Sequence, residues 1–244
     1  MAASRFPGKP LAMLAGRPMI EHVYRRAARA LGPDRTFIAT PDREIYDAAV
    51  AFGATAVMTS ARHARATDRV AEAARELPCD IVINIQGDEP LIHPAMLDAL
   101  CIAMTGEPAM ACANLVNRFG RDEDFRNPDQ IKVVCDRDHN VLFMSRQPIP
   151  SGAGHDGRLR QLGVIGFRRD FLEAFASLPP TPLERAESID MLRVIEHGFK
   201  VRAIQTVHES FGVDTVEGLR AAEARLADDP MTRELFGAVG TIRR

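Results

Sequence analysis

The 244-residue chain lacks several features that would assign it to common protein classes. No apolar run approaches the length of a membrane span, and the N-terminus has no apolar core of a secretory signal. The four cysteines, Cys79, Cys101, Cys112 and Cys135, form no CxxC pair and lack the spacing of zinc ligands. We therefore expect reduced, buried thiols in a cytoplasmic protein.

The chain also lacks an excess of charge of either sign. It carries 31 basic and 33 acidic residues, mixed along its length, and its formal net charge is −2. This balance argues against nucleic acid and membrane surfaces as partners. Hydrophobic residues make up 46% of the chain, which is enough to bury a large core. Because we find no repeat, low-complexity tract or linker, we expect a single domain spanning 1–244.

Helical and strand patterns alternate over the first half of the chain. The spacing predicts strands at 36–40, 54–59, 80–86 and 109–116, and helices at 18–31, 43–52, from Thr67 or Asp68 to 78, and at 93–104. Such alternation is typical of an α/β fold with a mostly parallel, doubly wound sheet. Ligands of such sheets bind beyond the carboxyl ends of the strands.

The second half of the chain has a different pattern. Short strands separated by turns predict a smaller antiparallel insertion in the sheet. The further elements are predicted helices at 183–198 and 215–228 and a strand at 200–207. We expect a nucleotide-binding part over about 1–116 and an acceptor-binding and dimer-forming part over about 117–210.

The first loop of the chain, SRFPGKPL at 4–11, has the composition of a phosphate-binding turn. Gly8 lets backbone N–H groups approach an anion, and Lys9 places an ammonium beside it. The spacing of a Walker A loop is absent. An ordinary surface turn is the alternative interpretation.

Two carboxylates follow apolar stretches at positions that suit a metal ion. Asp88, with Glu89, comes directly after the predicted buried strand, and Asp214 lies in the turn GVDT before the last predicted helix. Carboxylates are natural ligands of Mg²⁺, but an aspartate in such a turn also commonly caps a helix. Together with the Gly-Lys loop, the pair indicates phosphoryl or nucleotidyl transfer.

These motifs occur in a recognisable order: SRFPGKPL with GRPMI, INIQGDEP, NPDQIKVV, SRQPIP, LGVIGF, LERAE and GVDT. In this order the chain resembles the cytidylyltransferases that activate 3-deoxy-manno-octulosonate (Kdo), over almost its whole length. The resemblance implies a Rossmann-like nucleotidyltransferase fold and a homodimer. It also implies transfer of CMP from CTP to the hydroxyl of a small acidic acceptor, with release of pyrophosphate and no covalent intermediate.

The resemblance also assigns roles to individual residues. Asp88 and Asp214 match the positions that hold Mg²⁺, and the catalytic residues are Arg5, Lys9 and Asp88. The residues implied to bind the nucleotide are Ser4, Arg5, Gly8, Lys9, Arg69 and Asp88. The residues implied to line the acceptor site are Gln86, Lys132, Arg146, Gln161, Ile165, Asp190 and Met191.

The chain departs from the family pattern at its N-terminus. Met1 aligns just after the family's opening strand, which is normally central in the sheet. A sheet that lacks this central strand would leave backbone groups unpaired and apolar side chains exposed. We therefore expect that the natural start lies upstream.

The acceptor side departs from the family as well. Gln161 and Ile165 replace a His and a Tyr, the pair Asp190-Met191 replaces Glu-Gln, and Arg65-Ala66 replaces Ser-Gly. Apolar side chains cannot bond the hydroxyls of a sugar acid, so we expect CMP transfer to another acid, such as phosphonoformate. A genuine Kdo enzyme is the alternative. An inactive nucleotide-binding relative and a transferase for another nucleotide are the remaining hypotheses.

Overall fold

Alternating strands and helices build the part of the chain that a computed structural model describes, residues 8–152 and 157–237. None of the helices in these two ranges is long and apolar enough to cross a membrane. The helices are α1 (Met19–Leu31), α2 (Arg43–Ala51), α3 (Ala66–Ala74), α4 (Pro94–Gly106), α5 (Asp122–Arg126), α6 (Arg169–Ser177), α7 (Pro182–Glu187), α8 (Met191–Glu196), α9 (Val216–Asp228) and α10 (Pro230–Phe236). The strands are β1 (Met13–Leu14), β2 (Arg17–Pro18), β3 (Phe37–Thr40), β4 (Thr55–Met58), β5 (Ile81–Ile85), β6 (Cys112–Arg118), β7 (Lys132–Cys135), β8 (Val141–Ser145), β9 (Leu159–Arg168) and β10 (Arg202–Gln205).

The described residues divide into two units. Unit 1 holds residues 8–61, 86–94 and 210–237, and unit 2 holds residues 62–85, 95–152 and 157–209. Unit 1 contains the antiparallel ribbon β1–β2 and the parallel pair β3–β4. Two apolar clusters fill it, one around α1 and β3 and the other between the β1–β2 region and α9. The prediction of a single domain stays a prediction.

A buried arginine holds the C-terminal helices of unit 1. The guanidinium of Arg26, on α1, donates to the Thr232 hydroxyl at 2.8 Å and to the Ile92 carbonyl at 3.2 Å, and it also pairs with Asp229. Asp229 caps α10 by accepting from the Thr232 amide at 3.0 Å. The sequence analysis missed this helix, although Asp229 followed by Pro230 is a typical helix start.

Unit 2 is built on a mixed sheet. Its strand order is β10-β6-β9-β7-β8, and β5 also pairs with β9. The pair β10–β6 is parallel, whereas β9 is antiparallel to β5, β6 and β7. The α/β class is therefore confirmed, with a larger antiparallel share than predicted. Within the described ranges, β3 pairs only with β4 and β5 pairs only with β9.

The predicted helix over 183–198 is wrong, because the structure breaks it into α7 and α8. Ser188 ends α7 in the left-handed conformation, with φ +57° and ψ 44°. The break lets Ile189 and Leu192 enter the core of unit 2, where both are buried. Burial of these side chains outweighs the continuous helical pattern of the sequence.

Gly166, in the motif LGVIGF, meets a tightly filled core. A Cβ at this position would lie 2.4 Å from Met104 Sδ and 3.3 Å from Leu100 Cδ2, and both neighbours are fully buried. We expect Gly166→Ala to lower the free energy of unfolding by about 1–3 kcal/mol, measured by urea denaturation. Gly120→Ala is the matched control, since a Cβ there meets nothing within 4 Å. Equal stability of the two variants would contradict this packing argument.

Candidate active site

One lysine and two aspartates meet in unit 1. Lys9 Nζ lies 2.5 Å from Asp88 Oδ2 and 2.9 Å from Asp214 Oδ1. The Lys9 side chain is 12% exposed and that of Asp88 is 17% exposed, whereas Asp214 is half-exposed. Burial alone lowers the pKa of Lys9, but the two carboxylates outweigh burial and raise that pKa above its usual value. Lys9 is therefore a charged ammonium at neutral pH.

The loops that carry the two aspartates are bonded to each other. The Val213 amide donates to the Asp88 carbonyl at 2.8 Å, and this bond places Asp214 beside Asp88. The interpretation of these aspartates as helix caps is wrong. Thr215 caps α9 by accepting from the Gly218 amide at 3.0 Å, and α4 begins only at Pro94.

The turn before Lys9 has the backbone that the Gly-Lys pattern predicts. Gly8 adopts φ +69° and ψ 12°, a left-handed conformation that favours glycine, and Lys9–Leu11 form a short 3-10 helix. Gln86 is exposed in the turn that carries Asp88, and its carbonyl accepts from the Glu89 amide at 3.2 Å. Arg5, implied to bind the CTP phosphates with Lys9, and Ser4, implied to bind the nucleotide, lie outside the described residues.

The pair of carboxylates fits a magnesium ion. Asp88 Oδ1 is buried and has no hydrogen-bond partner among the described residues, which leaves this oxygen available to a cation. Beside it, Gly212 leaves space that a Cβ would fill, 3.9 Å from Asp88 Oδ1 and 3.8 Å from Asp214 Oδ2. No group of three or more His, Cys, Asp or Glu side chains suited to a metal occurs among the described residues. Mg²⁺ is commonly held by only one or two carboxylates, with substrate phosphates and waters completing its shell.

A chain of polar side chains crosses unit 2 next to the predicted acceptor residues. Asn84 Nδ2 donates to Thr67 Oγ1 at 3.2 Å, and Thr67 Oγ1 donates to Asp190 Oδ2 at 2.5 Å. Burial raises the pKa of Asp190, while the bond from Thr67 opposes the rise. Asn84 and Thr67 were missed in the sequence analysis. A polar Asn84 inside an otherwise apolar strand was the signal that could have identified the first of them.

Three further predicted acceptor residues lie on β9 or beside it. Gln161 Nε2 donates to Asn114 Oδ1 at 2.6 Å. Ile165 and Met191 belong to the apolar core of unit 2 and are 1% and 0% exposed, and Met191 Sδ contacts Cys112 Sγ at 3.9 Å. In this structure their side chains therefore contact other core residues, and their role toward an acceptor stays a prediction.

The two basic residues of the predicted acceptor site lie together. Lys132 Nζ donates to the carbonyls of Asn127 and Arg146, at 2.6 and 2.8 Å. Burial, followed by the charge of Arg146, lowers the pKa of Lys132. The Arg146 guanidinium donates to the carbonyls of Glu187 and Pro128, at 2.8 and 3.0 Å.

A buried ion-pair network connects α3, α7 and α8. Arg193 donates to both carboxylate oxygens of Glu184, at 2.6 and 2.8 Å, and to Asp68 Oδ1 at 3.2 Å. These three residues also line a cavity of about 530 Å³. None of the predicted acceptor residues lines that cavity. Arg69, the residue implied to lie near the nucleotide, is partly buried on α3, one turn beyond Arg65.

Comparison with known proteins assigns the chain to one class of enzyme. A putative glucose-1-phosphate thymidylyltransferase from Bacillus anthracis shares the fold, with a TM-score of 0.69 at 13% identity over 94% of this chain and 93% of that one. The cytidylyltransferase family matches residues 1–204. The protein is thus a nucleotidyltransferase, and it belongs to the cytidylyltransferase family.

More similar relatives define the group within that family. A 3-deoxy-manno-octulosonate cytidylyltransferase of Geobacter metallireducens is 42% identical over 93% of this chain and 94% of its own length. The corresponding protein of Anaeromyxobacter is 46% identical over the same shares of the two chains. A solved CMP:2-keto-3-deoxy-manno-octonic acid synthetase, in complex with CTP, has a TM-score of 0.84 at 36% identity, over 92% of this chain and 93% of that one. By these similarities the chain falls within the Kdo cytidylyltransferase group.

Proposed function

We propose that the protein transfers CMP from CTP to the hydroxyl of 3-deoxy-manno-octulosonate and releases pyrophosphate. The observation that carries this proposal is the whole-length similarity to Kdo cytidylyltransferases, at 42% identity over 93% of the chain. The protein acts as a cytoplasmic homodimer, as the family resemblance implies. Nothing in the charge balance of the chain favours a polymeric substrate.

The residues of unit 1 act on the triphosphate of CTP. Lys9, together with Arg5, binds the phosphates, and Asp88 and Asp214 hold Mg²⁺. When bound, Mg²⁺ supplies charge neutralisation on the phosphate oxygens. The acceptor hydroxyl attacks the α-phosphorus in line with the departing pyrophosphate, so that the chain contributes alignment and positive charge rather than a nucleophile.

The residues of unit 2 recognise the acceptor acid. Lys132 and Arg146 bring two positive charges to one region of unit 2, since the charge of Arg146 contributes to the lowered pKa of Lys132. A carboxylate is the natural partner of such a pair. Asp190 and Gln161, whose side chains are already bonded to Thr67 and Asn114, offer their remaining polar atoms to hydroxyl groups.

A second candidate acceptor is a compact acid such as phosphonoformate. It is favoured by the apolar side chains of Ile165 and Met191 at positions where the family has polar ones. Against this candidate, both side chains are buried among apolar neighbours in unit 2. Their apolar character is therefore explained by core packing and does not require a different ligand. We therefore favour Kdo.

The experiment is an assay of pyrophosphate release with CTP, Mg²⁺ and a panel of acids that includes Kdo, a sialic-type acid and phosphonoformate. We expect Kdo to have the highest kcat/KM, by about 100-fold or more, because a site that bonds hydroxyls rejects acids that lack them. A higher kcat/KM for phosphonoformate would overturn the proposed acceptor. Absence of release with every acid would overturn the proposed activity.

Substitution of Met191 by glutamine, which has a similar shape, distinguishes a role in core packing from a role in acceptor binding. If this residue only packs the core, Met191→Gln lowers stability and leaves the ratio of kcat/KM between acids unchanged. If it lines the acceptor site, the same change raises kcat/KM for Kdo relative to phosphonoformate. Thermal unfolding of the same preparation reports the stability.

A further inference from the structure

We propose that Lys9 is an internal counter-ion that excludes the divalent cation from Asp88 and Asp214 until CTP arrives. The binding of metal and of nucleotide is then strongly cooperative, and the metal enters with the triphosphate. This inference rests on the proposed function for the identity of the nucleotide and the metal. It concerns the order in which the site is filled.

The Lys9 ammonium lies between the two carboxylates. Lys9 Nζ bonds one oxygen of each carboxylate, at 2.5 and 2.9 Å, and so sits where a cation shared by Asp88 and Asp214 would have to be. A divalent cation held between these two oxygens, about 2.0–2.1 Å from each for Mg²⁺, would lie in the position that the ammonium fills. The ammonium and the metal therefore compete for one place.

The charges make the competition effective. The two carboxylates carry two negative charges, and the nearby ammonium cancels one of them. A cation that approaches the nucleotide-free site meets a net charge of only −1 and must displace Lys9 from both bonds. The charge-assisted bond to Asp88 lies in a largely buried position, with Lys9 12% and Asp88 17% exposed, where water screens it less, whereas the bond to Asp214 reaches a half-exposed carboxylate.

The triphosphate removes this obstacle. Its oxygens offer the ammonium new negative partners, and they also complete the shell of a cation for which the described residues offer no group of three or more metal-binding side chains. Asp88 Oδ1, which is buried and has no hydrogen-bond partner in the part of the chain that the structure describes, is the oxygen that the incoming cation gains beyond those already bonded to Lys9. Each ligand thus improves the site for the other, and the coupling is reciprocal by thermodynamic linkage.

The test measures Mn²⁺ binding to the full chain from the electron paramagnetic resonance signal of free Mn²⁺, with and without CTP and without any acceptor. The variant Lys9→Met removes the charge and keeps the length of the side chain. The control is Lys200→Met, an equal loss of charge at an exposed lysine that makes no contact with either aspartate in the described residues. Mn²⁺ bound to CTP in buffer is measured separately and subtracted.

In the absence of CTP, we expect Lys9→Met to bind Mn²⁺ at least about tenfold more tightly than the natural chain. The tightening that CTP adds should be correspondingly smaller in this variant, while Lys200→Met behaves like the natural chain. Asp88→Asn in the Lys9→Met background should lose the gain. If Lys9→Met does not fold, Lys9→Gln carries the same expectation.

Equal or weaker Mn²⁺ binding by folded Lys9→Met or Lys9→Gln in the absence of CTP would overturn the proposal. An equal effect of Lys200→Met would overturn it too, because general loss of charge would then explain the gain. Failure of the proposed function has a different signature, namely no pyrophosphate release with any acid, whatever the Mn²⁺ affinities are.

Discussion

Asp88→Asn is expected to lower kcat/KM for CMP transfer by about a thousandfold while the protein remains folded. The change removes one of the two charges that we propose hold the metal, and it alters the side-chain volume very little. Loss of a preorganised charge at a phosphoryl group commonly costs two to three orders of magnitude in rate. The measurements are pyrophosphate release at saturating Mg²⁺ and circular dichroism of the same preparation.

The matched control is Asp34→Asn, because Asp34 is exposed in the same unit and is not part of the Lys9 cluster. We expect this variant to retain its activity. An undiminished rate for Asp88→Asn in saturating Mg²⁺ would remove Asp88 from the metal site. Loss of the circular dichroism signal would show instead that the substitution acts on folding.

Arg193→Leu is expected to lower the free energy of unfolding by about 3–5 kcal/mol at neutral pH. The Glu184 side chain is only 1% exposed, and two of the hydrogen bonds to its carboxylate come from Arg193. Without Arg193 that buried carboxylate would keep the Thr181 amide at 3.2 Å and the more distant Arg65 guanidinium at 3.7 Å. The measurement is urea denaturation followed by circular dichroism, because the chain contains no tryptophan.

The control for this prediction is Arg185→Leu, an exposed arginine on the neighbouring helix, for which we expect a change within about 0.5 kcal/mol. The effect of Arg193→Leu should also depend on pH. Burial alone raises the pKa of Glu184, but the bonds from Arg193 and the Thr181 amide, with the charges of Arg193 and Arg65, together outweigh burial and lower it. The stabilisation by the pair is thus present above the pKa of Glu184 in the unfolded chain and is lost as the pH falls.

The difference in stability between the natural chain and Arg193→Leu should therefore shrink in acid. In the variant, protonation neutralises Glu184, which has lost its two bonds from Arg193, and removes part of the penalty. A difference below about 1 kcal/mol at neutral pH would contradict the prediction, as would one that does not change on acidification.

Local patterns account for most of the elements of the fold. Helix α1 begins and ends within a residue of its predicted bounds, and α9 does so as well. In both helices the apolar spacing and the residues at the ends favour the same structure. The predicted helix over 183–198 failed for a non-local reason, since burial of Ile189 and Leu192 required a break at Ser188.

For the functional residues, too, the local motifs could be predicted from the sequence, whereas the contacts between them could not. The Gly-Lys turn and the carboxylates after apolar stretches were recognisable as single motifs, because each requires a local backbone and a particular chemical group. Their mutual distances were not, since Lys9 and Asp214 are 205 residues apart in the sequence. The bond from the Val213 amide to the Asp88 carbonyl, which positions Asp214, has no local signature.

By itself, the sequence determined the α/β class, the order of the motifs and membership of the cytidylyltransferase family, because these depend on residue types and on their order along the chain. Only the tertiary structure decided that Lys9 bonds Asp88 and Asp214, that Ile165 and Met191 are buried, and that Asp190 is held by Thr67. These contacts join segments far apart in the chain. They form only when the packing of unit 1 or unit 2 has fixed the backbone, since the free energy of burial, rather than local preference, selects each partner.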